Sequence, residues 1–521
     1  MKYYRYRNYY KILIIIGGSV VLLFLAVFFL LTYLENKIDA KLTSIHSKAS
    51  SIDIGLWDQS IVFNGITLGI SEDSINSADQ FLKLQRASLR GINVYDLMIN
   101  NILLADELTV DNGTLYYTRD TKHKDSTDRA VLNAAFSFRN FVANNIETQI
   151  RTDTIVNLTA VVDCHLTDVN FKIDSIGKFD YDVRGARIIA RRISFNRHEG
   201  THGGTIAQLT YNSLNRVATL DSTRVVPNYG KFEIGKHFGQ QKNHITAVFP
   251  KITIEGLPLD KMLDSTFVAS RIEILSFNIT AFKDKRLPFL KKEIVSMPME
   301  TFLKLPFRVT VDSILIKDSH ITVEEFPEGS AQRIHVTFNH VSGKFARLNN
   351  RIVKGDSTVA TLQAHGLLMN KGIVDAVFKF PLDGSPIYTA KGSISKMPFT
   401  ELNEALANTA ALQVQSGFLN SLKFDFKYTD QSSIGKLVIN YKDLKLSGLK
   451  KDKGIDRIKT LFINMFIKND KTRQLPESER TGIINVERNR KKFIFNLWWL
   501  SIRDGLESSI LGTAKPNLAK P

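Results

Sequence analysis

SLKFDFKY, residues 421–428, places Leu422, Phe424, Phe426 and Tyr428 on one side of an extended chain and Lys423, Asp425 and Lys427 on the other. Successive side chains of a strand point to opposite faces, so this octapeptide has one apolar and one wetted face. That is the signature of a half-buried β-strand. The same alternation recurs in ELTVDNGTLYY (107–117), TVDSILIKDSHITV (310–323) and GKLVINYKDLKLS (435–447). Turn formers punctuate the runs at Asp111-Asn112-Gly113 and Asp318-Ser319, which predicts hairpins and meanders. Helical periodicity is confined to a few short connectors and the two ends of the chain. The fold class expected is therefore mainly β.

The alternating segments sit in a larger repeat. GINVYDLMINNILLADELTVDNGTLYYTRD from Gly91 aligns, with one gap, on GLPLDKMLDSTFVASRIEILSFNITAFKD from Gly256. Leu108 meets Ile272, Val110 meets Ile274, Leu115 meets Ile279 and Asp120 meets Asp284. A third copy starts at Ser296, and a fourth, from Ser395, matches the second through Pro258/Pro398, Leu259/Phe399 and Ile272/Leu412. Each copy reads as a short apolar helix, often opened by Pro, followed by two strands around a turn.

The N-terminus carries a different signal. Residues 12–34, ILIIIGGSVVLLFLAVFFLLTYL, run without a charge and as a helix would span about 34 Å, enough for a hydrocarbon core. No small-x-small cleavage site follows, so the segment reads as a retained anchor. Lys2, Arg5, Arg7 and Lys11 precede it, and by the positive-inside rule residues 1–11 are cytoplasmic and the body lies across the membrane. The formal net charge is +17, of which those four basic residues leave about +13 on the rest. That balance suits an anionic membrane surface and equally an ordinary basic exterior. Nucleic acid is disfavoured by the topology. The single cysteine, Cys164, excludes an intrachain disulfide, so backbone pairing and packing must supply the rigidity.

One literal motif points elsewhere. His198-Glu199-Gly200-Thr201-His202 matches H-E-x-x-H, which binds zinc only when a helix sets both histidines on one face. Gly200, Gly203 and Gly204 oppose a helix there, and the segment reads as a glycine-rich loop after the strand-like ARIIARRISF (186–195). A zinc metallohydrolase is thus a remote alternative. No phosphate-cradling glycine loop, nucleophile elbow or cysteine pair occurs, so no catalytic residue, metal or cofactor is expected and the chain does not read as an enzyme.

At the C-terminus, ERNRKKFIFNLWWLSIRDGLESSIL (487–511) joins a basic cluster to an amphipathic helix. Phe495, Trp498, Trp499, Ile502, Leu506 and Ile510 share a stripe, with Asn496, Arg503, Asp504 and Glu507 largely opposite. Two readings stay open. Arg490, Lys491, Lys492, Trp498, Trp499 and Ile502 could contact a membrane interface, or the helix could cap the open edge of the sheet.

The anchor, the β-rich body, the repeated helix-then-strand units and LNEALANTAALQVQSGFLNSLKFDF together resemble the AsmA-like family of Gram-negative envelope proteins, which is similar to bridge-like lipid-transfer proteins of the repeating β-groove type. The resemblance implies an elongated, curved antiparallel sheet, a gutter anchored in the inner membrane with its body in the periplasm, serving phospholipid transport or outer-membrane homeostasis. It divides the chain into tail 1–11, transmembrane helix 12–34, groove body 35–255 and 256–485, and C-terminal helix and tail 486–521. Expected partners are phospholipid, the inner membrane and an envelope or outer-membrane protein. The groove lining it implies is Leu108, Val110, Leu115, Ile272, Ile274, Ile314, Ile316, Ile321, Val323, Leu422, Phe424 and Phe426. If these faces instead pack on one another as a closed core, the same topology describes an envelope assembly scaffold.

Overall fold

The computed structural model of the chain describes residues 49–511 except 56–58, 70–79, 94–101, 120–133, 153–154, 174–178, 197–199, 291–293, 329–332, 354, 405–411, 449–472 and 476–477. The hydrophobic segment 12–34 lies outside the described residues, and no described helix is long and apolar enough to cross a membrane.

The fold is mainly β. In chain order come β1 (Ser51–Gly55), β2 (Ser60–Gly69), β3 (Gln80–Arg90), β4 (Ile102–Arg119), β5 (Ala134–Thr152), β6 (Ile155–Ile173), β7 (Phe179–Asn196), β8 (His202–Asn212) and β9 (Val217–Pro227). Next are α1 (Glu233–His237), β10 (Asn243–Glu255), α2 (Leu259–Leu263), β11 (Phe267–Leu275), β12 (Asn278–Asp284), α3 (Pro298–Leu303) and β13 (Val309–Phe326). The remainder is β14 (Ile334–Asn349), β15 (Val359–Leu368), β16 (Gly372–Pro381), β17 (Tyr388–Ile394), β18 (Met397–Pro398), β19 (Leu412–Tyr428), β20 (Ser432–Gly448), β21 (Arg473–Leu475), β22 (Ser478–Glu487) and α4 (Ile494–Leu511). Two compact units result, residues 1–224 with 251–269 and residues 225–250 with 270–521.

In the first unit β1 through β8 pair neighbour to neighbour, antiparallel except for the parallel pair β4–β5. Cross-strand partners share a face, and one face is apolar: Leu89, Leu108, Phe141, Leu166 and Ala186 lie in a single row. All five belong to one buried cluster that also holds Phe63, Val110 and Leu257. In the second unit β12 pairs parallel with β13, and β13 through β17, then β19, β20 and β22, follow antiparallel. The expectation of a wholly antiparallel sheet is thus corrected to a mixed, largely antiparallel one. Same-direction neighbours need a crossover of a dozen or more residues, which 285–308, carrying α3, provide between β12 and β13.

The turn formers also take a different role. Asp111-Asn112-Gly113 lies in the middle of the 18-residue β4, and Asp318-Ser319 in the middle of the 18-residue β13. Asn112 (φ 50°) and Asp318 (φ 43°) are left-handed, as a hairpin turn would require, yet the chain continues straight into the next half-strand. At Asp318-Ser319 the register with β14 shifts, a bulge, whereas β4 keeps one register with β3 and β5 across Asn112 and is only kinked there; neither site reverses the strand. β5 pairs with β4 from Ile102 to Arg119 and β3 pairs with it from Glu107 to Tyr117, so each half keeps neighbours on both sides. Side chains tie these left-handed positions to the next strand: Asn145 Nδ2 donates to Asn112 Oδ1 at 2.7 Å, and Asp318 Oδ1 meets His340 Nδ1 at 2.7 Å. Consequently none of the second, third and fourth copies forms the expected helix-plus-hairpin: β11 and β12 follow one another in the same direction along β13, with Glu273 on Lys317 and Asn278 opposite His320, and the third and fourth copies have one long strand each, β13 and β19. The helical part of the first copy lies outside the described residues.

Burial sets the alkaline limit of the fold. Tyr388 and Tyr428 stack with centroids 5.3 Å apart, and burial pushes Tyr388 and Tyr211 up to about 12 and Tyr428 further. Burial likewise pushes the Cys164 thiol to about 12. These acids stay neutral in the folded state while the unfolded chain ionises, so their contribution is complete below the ordinary values, 9.0 for Cys and 10.0 for Tyr, and is lost as pH rises toward 12. Denaturation midpoints are therefore expected to fall steeply above about pH 10. Native Cys164 should resist thiol reagents at neutral pH until the protein unfolds; prompt labelling of the folded chain would contradict this burial.

Candidate functional site: the apolar face of the second unit

Two rows of side chains cross the second unit. The first runs Ile314, Phe345, Leu362, Phe378, Ala390, Phe426, Gly435 and Ile484 from β13 to β22. The second, two residues along each strand, runs Ile316, Gly343, Ala364, Ala376, Gly392, Phe424, Leu437 and Gly482. Sixteen positions contain no polar side chain. Between the rows, pointing the other way, are Lys344, Gln363, Val377, Lys391, Asp425 and Lys436. That wetted face holds a cleft of about 830 Å³ with His365 on Asp375 at 2.8 Å and Lys391 on Asp425 at 3.4 Å.

The apolar face is not uniformly covered. On β13 to β16 Ile314, Ile316, Phe345, Leu362, Phe378 and Phe380 are half-buried. From β17 onward Ala390, Phe424, Phe426, Leu437 and Ile484 are buried, and α4 packs on β20 and β22. Its inward line is Leu497, Ser501, Gly505 and Ser508, all buried. Small residues let helix and strand meet backbone to backbone: a methyl on Gly482 would lie 1.9 Å from the Gly505 carbonyl oxygen. Ser433 and Ser501 hydroxyls pair at 2.6 Å. The β22 amides of Ile483 and Asn485 donate to Ser508 Oγ at 3.1 Å and Asp504 Oδ2 at 2.8 Å. Thus α4 caps the sheet edge, one of the two roles open from the sequence.

This docking redistributes the residues expected at a membrane. Trp498 turns inward, stacking on Phe378 at 4.4 Å and edge-on to Tyr428 at 6.0 Å. Ile502 is half-buried, and Trp499 stays 47% exposed. Arg490 pairs with Asp430 at 2.5 Å, Lys491 is exposed, and Lys492 lies 5.8 Å from the Phe289 ring. Burial, with Lys285 nearby, holds the Lys492 ammonium below the ordinary lysine range.

The expected lining separates in the same way. Leu108, Val110 and Leu115 are sealed in the core of the first unit. Leu422, Phe424 and Phe426 are buried in the second unit. Ile272, Ile274, Ile314, Ile316 and Ile321 are half-buried, and Val323 is 44% exposed. Phe345, Leu362 and Phe378 belong to the accessible face although the repeat alignment passed over them; the alternation in IVDAVFKFP (373–381) was the signal for Phe378.

The H-E-x-x-H match does not form a helical site. His202 opens β8, and Gly200 (φ 66°) and Thr201 precede it as bends, while His198 and Glu199 lie outside the described residues. Among the described residues no three His, Cys, Asp or Glu side chains group as metal ligands. No protein-family model matches the chain, and no curated protein matches it.

Proposed function

We propose that the chain is a membrane-anchored, non-catalytic lipid-handling protein of AsmA-like type, with its body in the periplasm and the apolar face of its second unit receiving phospholipid acyl chains. The observation that carries this reading is the half-buried run of Ile314, Ile316, Phe345, Leu362 and Phe378 on adjacent strands. Exposing one 16-carbon tail to water costs on the order of 12 kcal/mol at about 0.8 kcal/mol per methylene, and a continuous apolar surface removes most of that barrier without bond chemistry. An apolar face of this breadth left open to water is costly unless it is used.

The sealed core around Leu108 favours a second reading for the first unit, an assembly scaffold with the same topology and no lipid passage. Photocrosslinking separates the two. A photoreactive residue at Phe378 or Ile316, in membranes containing labelled phospholipid, is expected to give lipid adducts, whereas one at Lys391 on the wetted face gives background only. Equal background at all three positions leaves the scaffold.

A further inference from the structure

The exposed aromatic side chains of the C-terminal helix are part of a larger surface assembled from two distant stretches. Arg488 Nη2 donates to the Val295 carbonyl at 2.7 Å across 193 residues, and the Val295 amide donates to the Arg490 carbonyl at 2.8 Å. These bonds bring Phe289, Leu290 and Ile294 beside the turn that leads into α4. All three are exposed, as are Phe493, Phe495 (63%) and Trp499. Phe493 and Phe495 stack edge to face at 5.2 Å, and Lys492 lies over Phe289. Six large apolar side chains in the open are thus held by the backbone of the second unit, with Lys491 and Lys492 among them. Asp430, the acid on this knot, is already engaged by Arg488 and Arg490.

We propose that this corner of the second unit seats on an anionic phospholipid bilayer, with Phe289, Leu290, Phe493, Phe495 and Trp499 entering the interface and Lys491 and Lys492 at the lipid phosphates. The chemistry selects a bilayer over a protein partner. Lysine is depleted at the centres of protein interfaces, whereas aromatic rings mixed with lysines are what the headgroup layer accepts. Trp498 lies between Phe378 of the acyl-binding face and Phe495 of this corner, so the two surfaces adjoin, yet seating on a bilayer does not depend on lipid entering the face of β13 to β16.

Cys164 is buried, so a single cysteine at position 499 takes a polarity-sensitive fluorophore selectively. The full chain, labelled at Trp499→Cys and held in zwitterionic nanodiscs, is mixed with vesicles carrying quencher lipids. Vesicles with phosphatidylglycerol are expected to shift the emission to the blue and quench it, and purely zwitterionic vesicles are not. A label at Lys391→Cys reports neither change. Lys491→Gln with Lys492→Gln should weaken vesicle partitioning roughly 30-fold, the factor for two lysines near an anionic surface. A far-ultraviolet spectrum and denaturation midpoint matching the parent show that this variant remains folded. Absence of quenching by anionic vesicles overturns the proposal. So does a blue shift that grows with protein concentration without vesicles, which assigns the surface to a second copy, and so does equal response to both lipid compositions. Lipid crosslinking at Phe378 can succeed or fail independently of all these outcomes.

Discussion

Gly482→Val is expected to lift the C-terminal helix from the sheet and cost the second unit at least about 3 kcal/mol, read as a lower denaturant midpoint. Any side chain at position 482 meets the Gly505 carbonyl oxygen at 1.9 Å and the Ser509 amide nitrogen at 2.9 Å. Both are backbone atoms, so rotation of a neighbour cannot relieve the clash. Helix and strand must separate, and separation uncovers Leu497, Leu437 and Ile484, each contributing roughly 1.5–3 kcal/mol by burial. The β22 amides of Ile483 and Asn485 lose their α4 acceptors as well. Ile483→Ala provides the comparison, because Ile483 sits on the same strand with its side chain on the opposite face, 39% exposed, and should cost well under about 1 kcal/mol. Equal effects of the two substitutions would show that the close approach of Gly482 and Gly505 is unimportant.

Arg488→Leu is the second large effect, expected at about 3–5 kcal/mol because it leaves buried acceptors without their cation. The Arg488 side chain is 1% exposed. Its guanidinium pairs with Asp430 and donates to three carbonyls, those of Val295 at 2.7 Å, Asp430 at 3.3 Å and Lys492 at 3.3 Å. One planar fork therefore ties the β19–β20 turn, the end of β22, the turn before α4 and the strand-free segment at Val295. Arg488→Lys should recover little, since an ammonium is a point donor and cannot reach that many directions at once. Pairing Arg488→Leu with Asp430→Leu should cost less than the sum of the single changes, a coupling that a double-mutant cycle measures. A loss below about 1 kcal/mol for Arg488→Leu would mean that the segments are held by other contacts. The same substitution should also loosen Phe289 and Leu290, and with them the bilayer-facing corner.

Much of this architecture is legible in short stretches. Residues 421–428 alternate, and in β19 Leu422, Phe424, Phe426 and Tyr428 are buried while Lys423, Asp425 and Lys427 are exposed. The proline-opened connectors before Leu259 and Pro298 form α2 and α3. The glycines around His202 already spoke against a helix, and β8 begins there. Other features depend on contacts that local sequence does not carry. Asn112 and Asp318 adopt the left-handed backbone that serves a hairpin turn and a mid-strand kink or bulge alike, and local sequence does not distinguish them. The helical stripe places Trp498 and Trp499 on one surface, but Gly505, Ser501 and Ser508 draw the axis close to β22, turning Trp498 inward and leaving Trp499 outside.

By itself the amino-acid order determined that the chain forms amphipathic strands and which side chains share a face, because alternation is a property of the extended backbone and needs no partner. Tertiary structure alone decided which apolar faces are sealed, as at Leu108, and which stay half-open, as at Phe378. It also brought Phe289 to Lys492 and placed Arg488 on Val295. Such contacts join residues far apart in the chain, and their energies depend on what remains to cover each surface once every strand has found its neighbours.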